Sequence, residues 1–118
     1  MAPSPQRLKR RANFLRVAAT GRKVAIGGLV LQALDRGDAA PARMGFTVTK
    51  KIGNAVVRNR TRRRLKEAAR LLMAERPLTG TDLVLVGRQS TRTRRFSALR
   101  EDLQRALAKA GVRQRSLT

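Results

Sequence analysis

The chain has no histidine and no cysteine. That removes the commonest general base and metal ligand, together with thiolate metal sites, disulfides and cysteine nucleophiles. The acids are Asp35, Asp38, Glu67, Glu75, Asp82, Glu101 and Asp102, scattered along the sequence. The one adjacent pair, Glu101 and Asp102, would not share a face of a helix. No acid/base pair or protein metal cage emerges. The cations are concentrated instead. Eight of the seventeen residues from 50 to 66 are basic: Lys50, Lys51, Arg58, Arg60, Arg62, Arg63, Arg64 and Lys66. None of the seventeen is acidic. Solvated helical faces usually mix signs, with Glu-to-Lys pairs four apart. A segment of one sign repels itself until an anion arrives, so the chemistry on offer is anion binding.

The whole chain leans the same way, with 28 basic against 7 acidic residues and a net charge of +21 over 118 residues. A polyanion is the expected partner, and nucleic acid leads among polyanions. Hydrophobic residues make up 42%, which excludes a disordered polycation and allows one domain, residues 1–118, with a modest core. No apolar run approaches twenty residues and the N-terminus lacks an apolar signal core, so a soluble cytoplasmic protein with no membrane partner is expected.

The elements that must hold the cations can be read in order. Residues 1–6, with two prolines, and the polar, basic stretch 112–118 read as flexible tails. Residues 7–19 read as a first helix with Leu8, Ala12, Leu15 and Ala19 down one face, Phe14 and Ala18 on an adjacent stripe, and Gly21 ending it. Residues 24–26 and 29–34 read as strands, with a bulge or bend at Gly27-Gly28. Residues 35–38 form a turn cluster. Residues 43–49 alternate, with Met44, Phe46 and Val48 on one face and Gly45, Thr47 and Thr49 on the other. Gly53 and Asn54 suit a strand-to-helix turn with Asn54 as N-cap.

A helix over 55–74 follows. Its apolar stripe is Leu65, Ala68, Ala69, Leu72 and Met73. Asn59, Arg60, Arg63, Arg64 and Lys66 lie off it, whereas Arg58 and Arg62 fall in line with it, so the first two turns overhang the core or line a charged cleft. The helix N-terminus, with free N–H groups and a positive dipole end, suits phosphate. Residues 82–87 read as a strand covered on both faces. Residues 88–95 form a basic, Thr-rich loop, and 96–110 a last helix with Phe96, Leu99, Leu103, Ala106, Leu107 and Ala110 inward. The order α-β-β-β-α-β-α predicts an α+β fold, an α/β sandwich with one four-stranded sheet and helices packed on it.

The run Gly45-Phe46-Thr47-Val48-Thr49-Lys50-Lys51-Ile52-Gly53-Asn54-Ala55-Val56-Val57-Arg58-Asn59-Arg60 closely resembles the strand and Arg-Asn-Arg helix of the bacterial ribonuclease P protein subunit family. Supporting matches are Arg7-Leu8-Lys9-Arg10 with Phe14, then Gly21-Arg22-Lys23, and the strand over 82–86. The resemblance covers most of the chain. It implies a ribonucleoprotein endonuclease that removes the 5′ leader from precursor tRNA. The RNA subunit would carry the active site, Mg²⁺ would be held largely by RNA phosphates, and no catalytic residue would come from the protein. It also implies a left-handed β-α-β crossover, an exception to the usual right-handed rule.

Two surfaces follow from the resemblance. Lys50, Lys51, Asn54, Arg58, Asn59, Arg60, Arg62, Arg63 and Lys66 would face the RNA subunit, their phosphate contacts fixing register without reading sequence. Asn59 could instead cap or make a helix-internal polar bond. The second surface is a leader-binding cleft between the first helix and the sheet, assigned to Arg10, Arg11, Phe14, Ala18, Gln32, Thr47 and Thr49. Phe14 matches the family's helix-one aromatic and could stack on a base or pack in the core. Ala18 and Gln32 stand where other members often carry aromatics. With no Trp or Tyr and three Phe, stacking would be weak, leaving Arg10, Arg11, Thr47, Thr49 and main-chain groups to hold the leader. Phe46 and Phe96 read as core. Without its RNA the chain should take up sulfate or phosphate. Composition alone would favour a ribosomal or other structural RNA-binding protein. A protein-only nuclease would need clustered acids, and a DNA-binding module would need a helix-turn-helix pairing that the element order does not show.

Overall fold

The computed structural model describes residues 6–112. The elements are β1 (Gln6–Arg7), α1 (Arg11–Thr20), β2 (Arg22–Ile26), β3 (Leu29–Asp35), β4 (Arg43–Thr47), α2 (Ala55–Glu75), β5 (Thr81–Gly87) and α3 (Phe96–Lys109). Short 3-10 segments at Lys50–Ile52 and Gln89–Arg92 precede α2 and α3. The strands form one sheet in the order β1-β4-β5-β3-β2. β4 and β5 are parallel neighbours joined through α2, and β3 pairs antiparallel with both β5 and β2.

The expected α+β architecture is present, with five strands rather than four. Gln6–Arg7 pairs parallel with β4. The Gln6 N–H donates to Ala42 O at 2.9 Å and the Leu8 N–H to Met44 O at 2.8 Å. An edge strand otherwise leaves its main-chain groups unpaired, so residues 6–8 go to the edge of β4 and α1 begins only at Arg11. Of the expected tails, residues 1–5 and 113–118 lie outside the described residues. Gln6 belongs to the sheet, and Val112 packs against the core with its N–H on Leu107 O.

Alternation divides the sheet into two faces. Leu29, Leu31 and Ala33 of β3, Leu83 and Leu85 of β5, and Met44 of β4 pack under α2 and α3 with Leu65, Ala68, Ala69, Leu72, Met73, Leu99, Leu103, Ala106 and Leu107. Phe46 and Phe96, expected in the core, lie half-buried at its margin and pack against it. The other face carries α1 over a smaller cluster of Leu8, Val17 and Val84, with Phe14, Leu34 and Val86 beside it. Here the expected helix stripe is out of phase. Leu15 is 55% exposed, Ala12 and Ala19 are exposed, and Phe14 and Val17 make the contact. Leu8 is buried from the strand, not from the helix.

Two buried carboxylates tie the ends of the sheet. Asp82 receives Arg43 Nε at 2.7 Å, Arg43 Nη2 at 2.6 Å and Arg36 Nη1 at 2.7 Å. Burial pushes its carboxyl up, but the hydrogen bonds and charges of Arg43 and Arg36 outweigh that and leave its pKa below the ordinary value. Arg36 also reaches the carbonyls of Ala40 and Pro41, closing the turn after β3. At the other end, Asp102 accepts the Gly28 N–H at 2.9 Å and both Arg94 Nε and Nη2. Gly27-Gly28 is a two-residue hairpin turn, not a bulge, since Ile26 pairs with Leu29. Gly27 needs its positive φ of 52°, and its carbonyl accepts Ser90 Oγ at 3.1 Å. Thr91 Oγ donates to Gly28 O and accepts the Arg88 N–H at 2.8 Å. The stretch expected as a plain loop is therefore a 3-10 segment bound to the hairpin tip.

Candidate RNA-binding surfaces

The first surface is built by the turn between β4 and α2. Lys50–Ile52 is one 3-10 turn, with the Ile52 N–H on Thr49 O at 3.0 Å and Ile52 buried as its anchor. Lys50 and Lys51 are thereby left exposed, and Gln89 Nε2 holds the Lys51 carbonyl at 2.9 Å. Gly53 takes φ 154°, and a β-carbon there would press on Val57. Asn54 caps α2 as expected, its Oδ1 accepting the Val57 N–H at 3.0 Å.

Along α2 the inward line runs from half-buried Val57 through buried Thr61 to the expected apolar stripe, which begins at Leu65. Thr61 tolerates burial because its hydroxyl donates to Val57 O at 2.8 Å. At 100° per residue, Arg58, Arg62 and Lys66 flank this line on one side, and Arg60 and Arg64 on the other. Asn59 and Arg63 crown the helix. Exposure follows: Arg58, Arg62, Arg64 and Lys66 are half-buried, whereas Asn59, Arg60 and Arg63 are exposed. Arg58 and Arg62, expected in line with the stripe, border the core half-buried rather than entering it, because Val57 and Thr61 carry the inward line through the first two turns. Asn59 Oδ1 accepts Arg62 Nη1 at 3.1 Å, a helix-internal polar bond that orients a cation.

Acids within the protein do not neutralise this surface. Five carboxylates are engaged, in the pairs Arg36–Asp38, Arg36–Asp82, Arg43–Asp82, Arg70–Glu67, Arg94–Asp102 and Arg100–Glu75. Among the described residues, none of the cations from 50 to 66 has a carboxylate partner. Glu67, the nearest acid, is taken by Arg70 at 2.5 Å. Of the nine expected residues, Lys50, Lys51 and Asn54 sit exposed in the turn before α2, and Arg58, Asn59, Arg60, Arg62, Arg63 and Lys66 lie on the exposed or half-buried sides of the helix.

The second surface lies on the α1 side of the sheet. Register puts Gln32, Val84 and Gly45 in one row across β3, β5 and β4, and Val30, Val86 and Thr47 in the next. Phe14 of α1 stacks down onto this face over Gly45. Gln32 and Thr47 are half-buried, and Ala18, one turn beyond Phe14, is exposed. Arg10 and Arg11 are exposed at the start of α1, and Thr49 is exposed between the two surfaces. Phe14, Gln32 and Thr47 therefore share one floor, with Arg10, Arg11 and Ala18 along the helix wall. The ring of Phe14 packs on the apolar cluster and is half-buried.

Arg64 was outside the expected interface. It donates to Arg92 O at 3.4 Å and to Arg94 O, linking α2 to the basic segment before α3. The sequence signal was the Thr-rich basic run itself, but nothing in it said which cation would reach it. No three acid, Cys or His side chains gather where they could hold a metal ion among the described residues, and no helix is long and apolar enough to cross a membrane.

Comparison with known proteins covers nearly all of the chain. The sequence model of the Ribonuclease P family matches residues 2–111. The ribonuclease P protein component of Gluconacetobacter diazotrophicus is 66% identical over 113 residues, covering 96% of this chain and 97% of that one. That of Paramagnetospirillum magneticum is 47% identical over 120 residues, covering 98% and 90%. Among solved structures, the Staphylococcus aureus RNase P protein superposes with a TM-score of 0.75 at 27% identity over 90% of this chain and 95% of that one. The Thermotoga maritima protein gives 0.74 at 27% identity over 88% and 96%. With that family match and those relatives, the chain belongs to the family of ribonuclease P protein components.

Proposed function

We propose that this chain acts as the ribonuclease P protein subunit by binding two RNAs at once. The surface from Lys50 to Lys66 holds the catalytic RNA subunit. The cleft between α1 and the sheet takes the single-stranded 5′ leader of precursor tRNA, so that the leader is removed to give the mature 5′ end. The observation that carries this reading is the cationic stretch from 50 to 66, left without a carboxylate partner while acids elsewhere are engaged by arginines.

The residues divide the labour. Arg58, Arg60, Arg62, Arg63, Lys66, Lys50 and Lys51 supply phosphate contacts, while Asn54 fixes the helix start and Asn59 holds Arg62. Phe14 gives one base a face to stack on, Arg10 and Arg11 draw the leader backbone, and Gln32, Thr47 and Thr49 offer hydrogen bonds. The side chains present do not fit a resident Mg²⁺, because buried Asp82 and Asp102 are each engaged by arginine. When bound by RNA phosphates, Mg²⁺ would supply the activated water and offset charge on the leaving oxygen. The protein's part is to hold substrate and RNA together and lower the repulsion between them. The cytoplasm, where precursor tRNA is made in bacteria, is the compartment this role implies.

The test is reconstitution with a bacterial ribonuclease P RNA and cleavage of precursor tRNA at low Mg²⁺. Added protein should restore cleavage that the RNA alone loses. No stimulation, or cleavage by the protein without RNA, would overturn the reading.

A further inference from the structure

We propose that the segment Gln89–Arg92 and the following Thr93 close a phosphodiester pocket against α2, with Arg92 and Thr93 as ligand contacts and Arg64 as the positioning residue. The inference rests on the reading above, in which α2 faces RNA, and adds a second wall to that surface. A cavity of about 140 Å³ lies between the two elements, lined by Val57, Arg60, Thr61, Arg64, Arg92 and Thr93. Three of these six are arginines and none is acidic. Arg60, Arg92 and Thr93 are exposed at its rim, and Arg64 is half-buried.

Arg64 does more than add charge. Its two terminal nitrogens go to the carbonyls of Arg92 and Arg94, which fixes the height of the segment above α2. Its Nε is buried and has no partner within the protein. A buried donor without an acceptor is costly, and a phosphate oxygen entering the cavity is an acceptor of the right charge. Arg94, by contrast, is drawn away to Asp102, and Thr91 is used up by Arg88 and Gly28. That leaves Arg92 and Thr93 free to turn toward an anion. The segment is held from behind by the Gly27-Gly28 tip, so the pocket is formed before any ligand arrives.

The phosphodiester could come from the RNA subunit or from precursor tRNA, and two titrations separate them. Arg92→Gln, Thr93→Val and Arg64→Lys are compared with wild type for binding of ribonuclease P RNA across salt concentrations. The assembled holoenzymes are then compared for precursor tRNA binding. Loss of one phosphate contact should flatten the log–log salt slope by about 0.7 to 0.9 for Arg92→Gln in one of the two titrations, which identifies the source. Arg105→Gln, on the exposed side of α3, controls for net charge and should leave both slopes unchanged. Arg64→Lys should weaken binding in the wild-type background and add nothing once Arg92 is gone. A role in stability alone would not give that dependence. Unchanged slopes for Arg92→Gln in both titrations, with Arg60→Gln flattening the first, would overturn the pocket and leave the wider reading standing. If wild type does not bind the RNA at all, that reading fails. Pyrophosphate-induced shifts of the Arg92 and Thr93 amides, recorded by NMR, then decide the pocket by themselves: shifts abolished by Arg64→Lys sustain it, and their absence overturns it.

Discussion

The ring of Phe14 fills the space above Gly45 that a side chain there would need: a β-carbon at residue 45 would lie under 3.0 Å from two ring carbons. The bare strand is therefore part of the aromatic's seat. Gly45→Ala should lift the ring off the sheet, at an overpacking cost of about 1–3 kcal/mol, read as a fall in melting temperature. The same change should alter precursor tRNA affinity while sparing mature tRNA. An unchanged melting temperature together with unchanged affinity would mean that the ring's seat has no role.

Phe14→Ala should weaken precursor tRNA binding more than mature tRNA binding, since stacking on one base is worth about 1–3 kcal/mol. Ala18 is exposed one turn away, so Ala18→Phe is the reciprocal change and should strengthen leader binding. Equal weakening of both substrates by Phe14→Ala would assign the ring to packing alone.

Arg58 and Arg60 should behave differently although both are cations on α2. Arg60 is exposed, so Arg60→Ala should flatten the salt dependence of holoenzyme affinity by about 0.7 to 0.9 in log–log slope and leave the melting temperature alone. Arg58 is half-buried with its Nε enclosed, and its aliphatic stem packs as well. Arg58→Ala should flatten the slope and also lower stability. Salt titrations and thermal melts of the two variants, side by side, check the distinction.

Asp82 makes a prediction about acid. Its folded pKa lies below the ordinary value, so the folded state binds fewer protons than the unfolded chain. The stability it contributes is present above the unfolded pKa of about 4 and is lost as pH falls through the lower folded value. Asp82→Asn leaves Arg36 and Arg43 without their shared anion, and breaking such a buried pair costs about 3–5 kcal/mol. Melts from pH 7 to pH 3 should show a lower starting stability in the variant and a shallower acid decline.

Isolated protein in low salt should be partly unfolded, because folding gathers cations that acids do not balance. Millimolar pyrophosphate or a short oligonucleotide should fold it, since ligands that bind only the folded state stabilise by about 2.7 kcal/mol at a hundred times their dissociation constant. Sulfate should outperform chloride at matched ionic strength, although its exclusion from protein surfaces adds to that effect. Far-ultraviolet circular dichroism follows the titration. Full helicity without any polyanion, and no rise in melting temperature on adding one, would count against specific anion sites.

Much of this was legible because α2 and β5 state their environments strongly. The stripe Leu65, Ala68, Ala69, Leu72 and Met73 is buried throughout, and its period put Arg60, Arg63 and Arg64 off that face, leaving only Arg58 and Arg62 in line with it. The first helix was misread because it touches the sheet through so few side chains. Ala12, Leu15 and Ala19 make a convincing stripe, yet Phe14 and Val17 are the contacts. β1 could not be read at all: two residues carry no period, and their partner strand is some 37 residues away in the chain. Asp102 stood outside the inward stripe read for α3, yet it is buried. Only the fold brings Gly28 and Arg94 to it, 74 and 8 residues away in sequence. Thr61 was missed for a related reason, since a hydroxyl that bonds its own helix can be buried without appearing apolar.

The sheet ends on β2 at one side and on the two residues of β1 at the other. An open edge is a template on which another chain can add a strand. Among the described residues β1 offers only Gln6 and Arg7 for that, and β2 begins with exposed Arg22 and Lys23. A second copy approaching either edge would also bring +21 against +21. The cations that invite RNA therefore guard the bare protein against aggregation. That guard should weaken when short polyanions neutralise the surface without covering the edges.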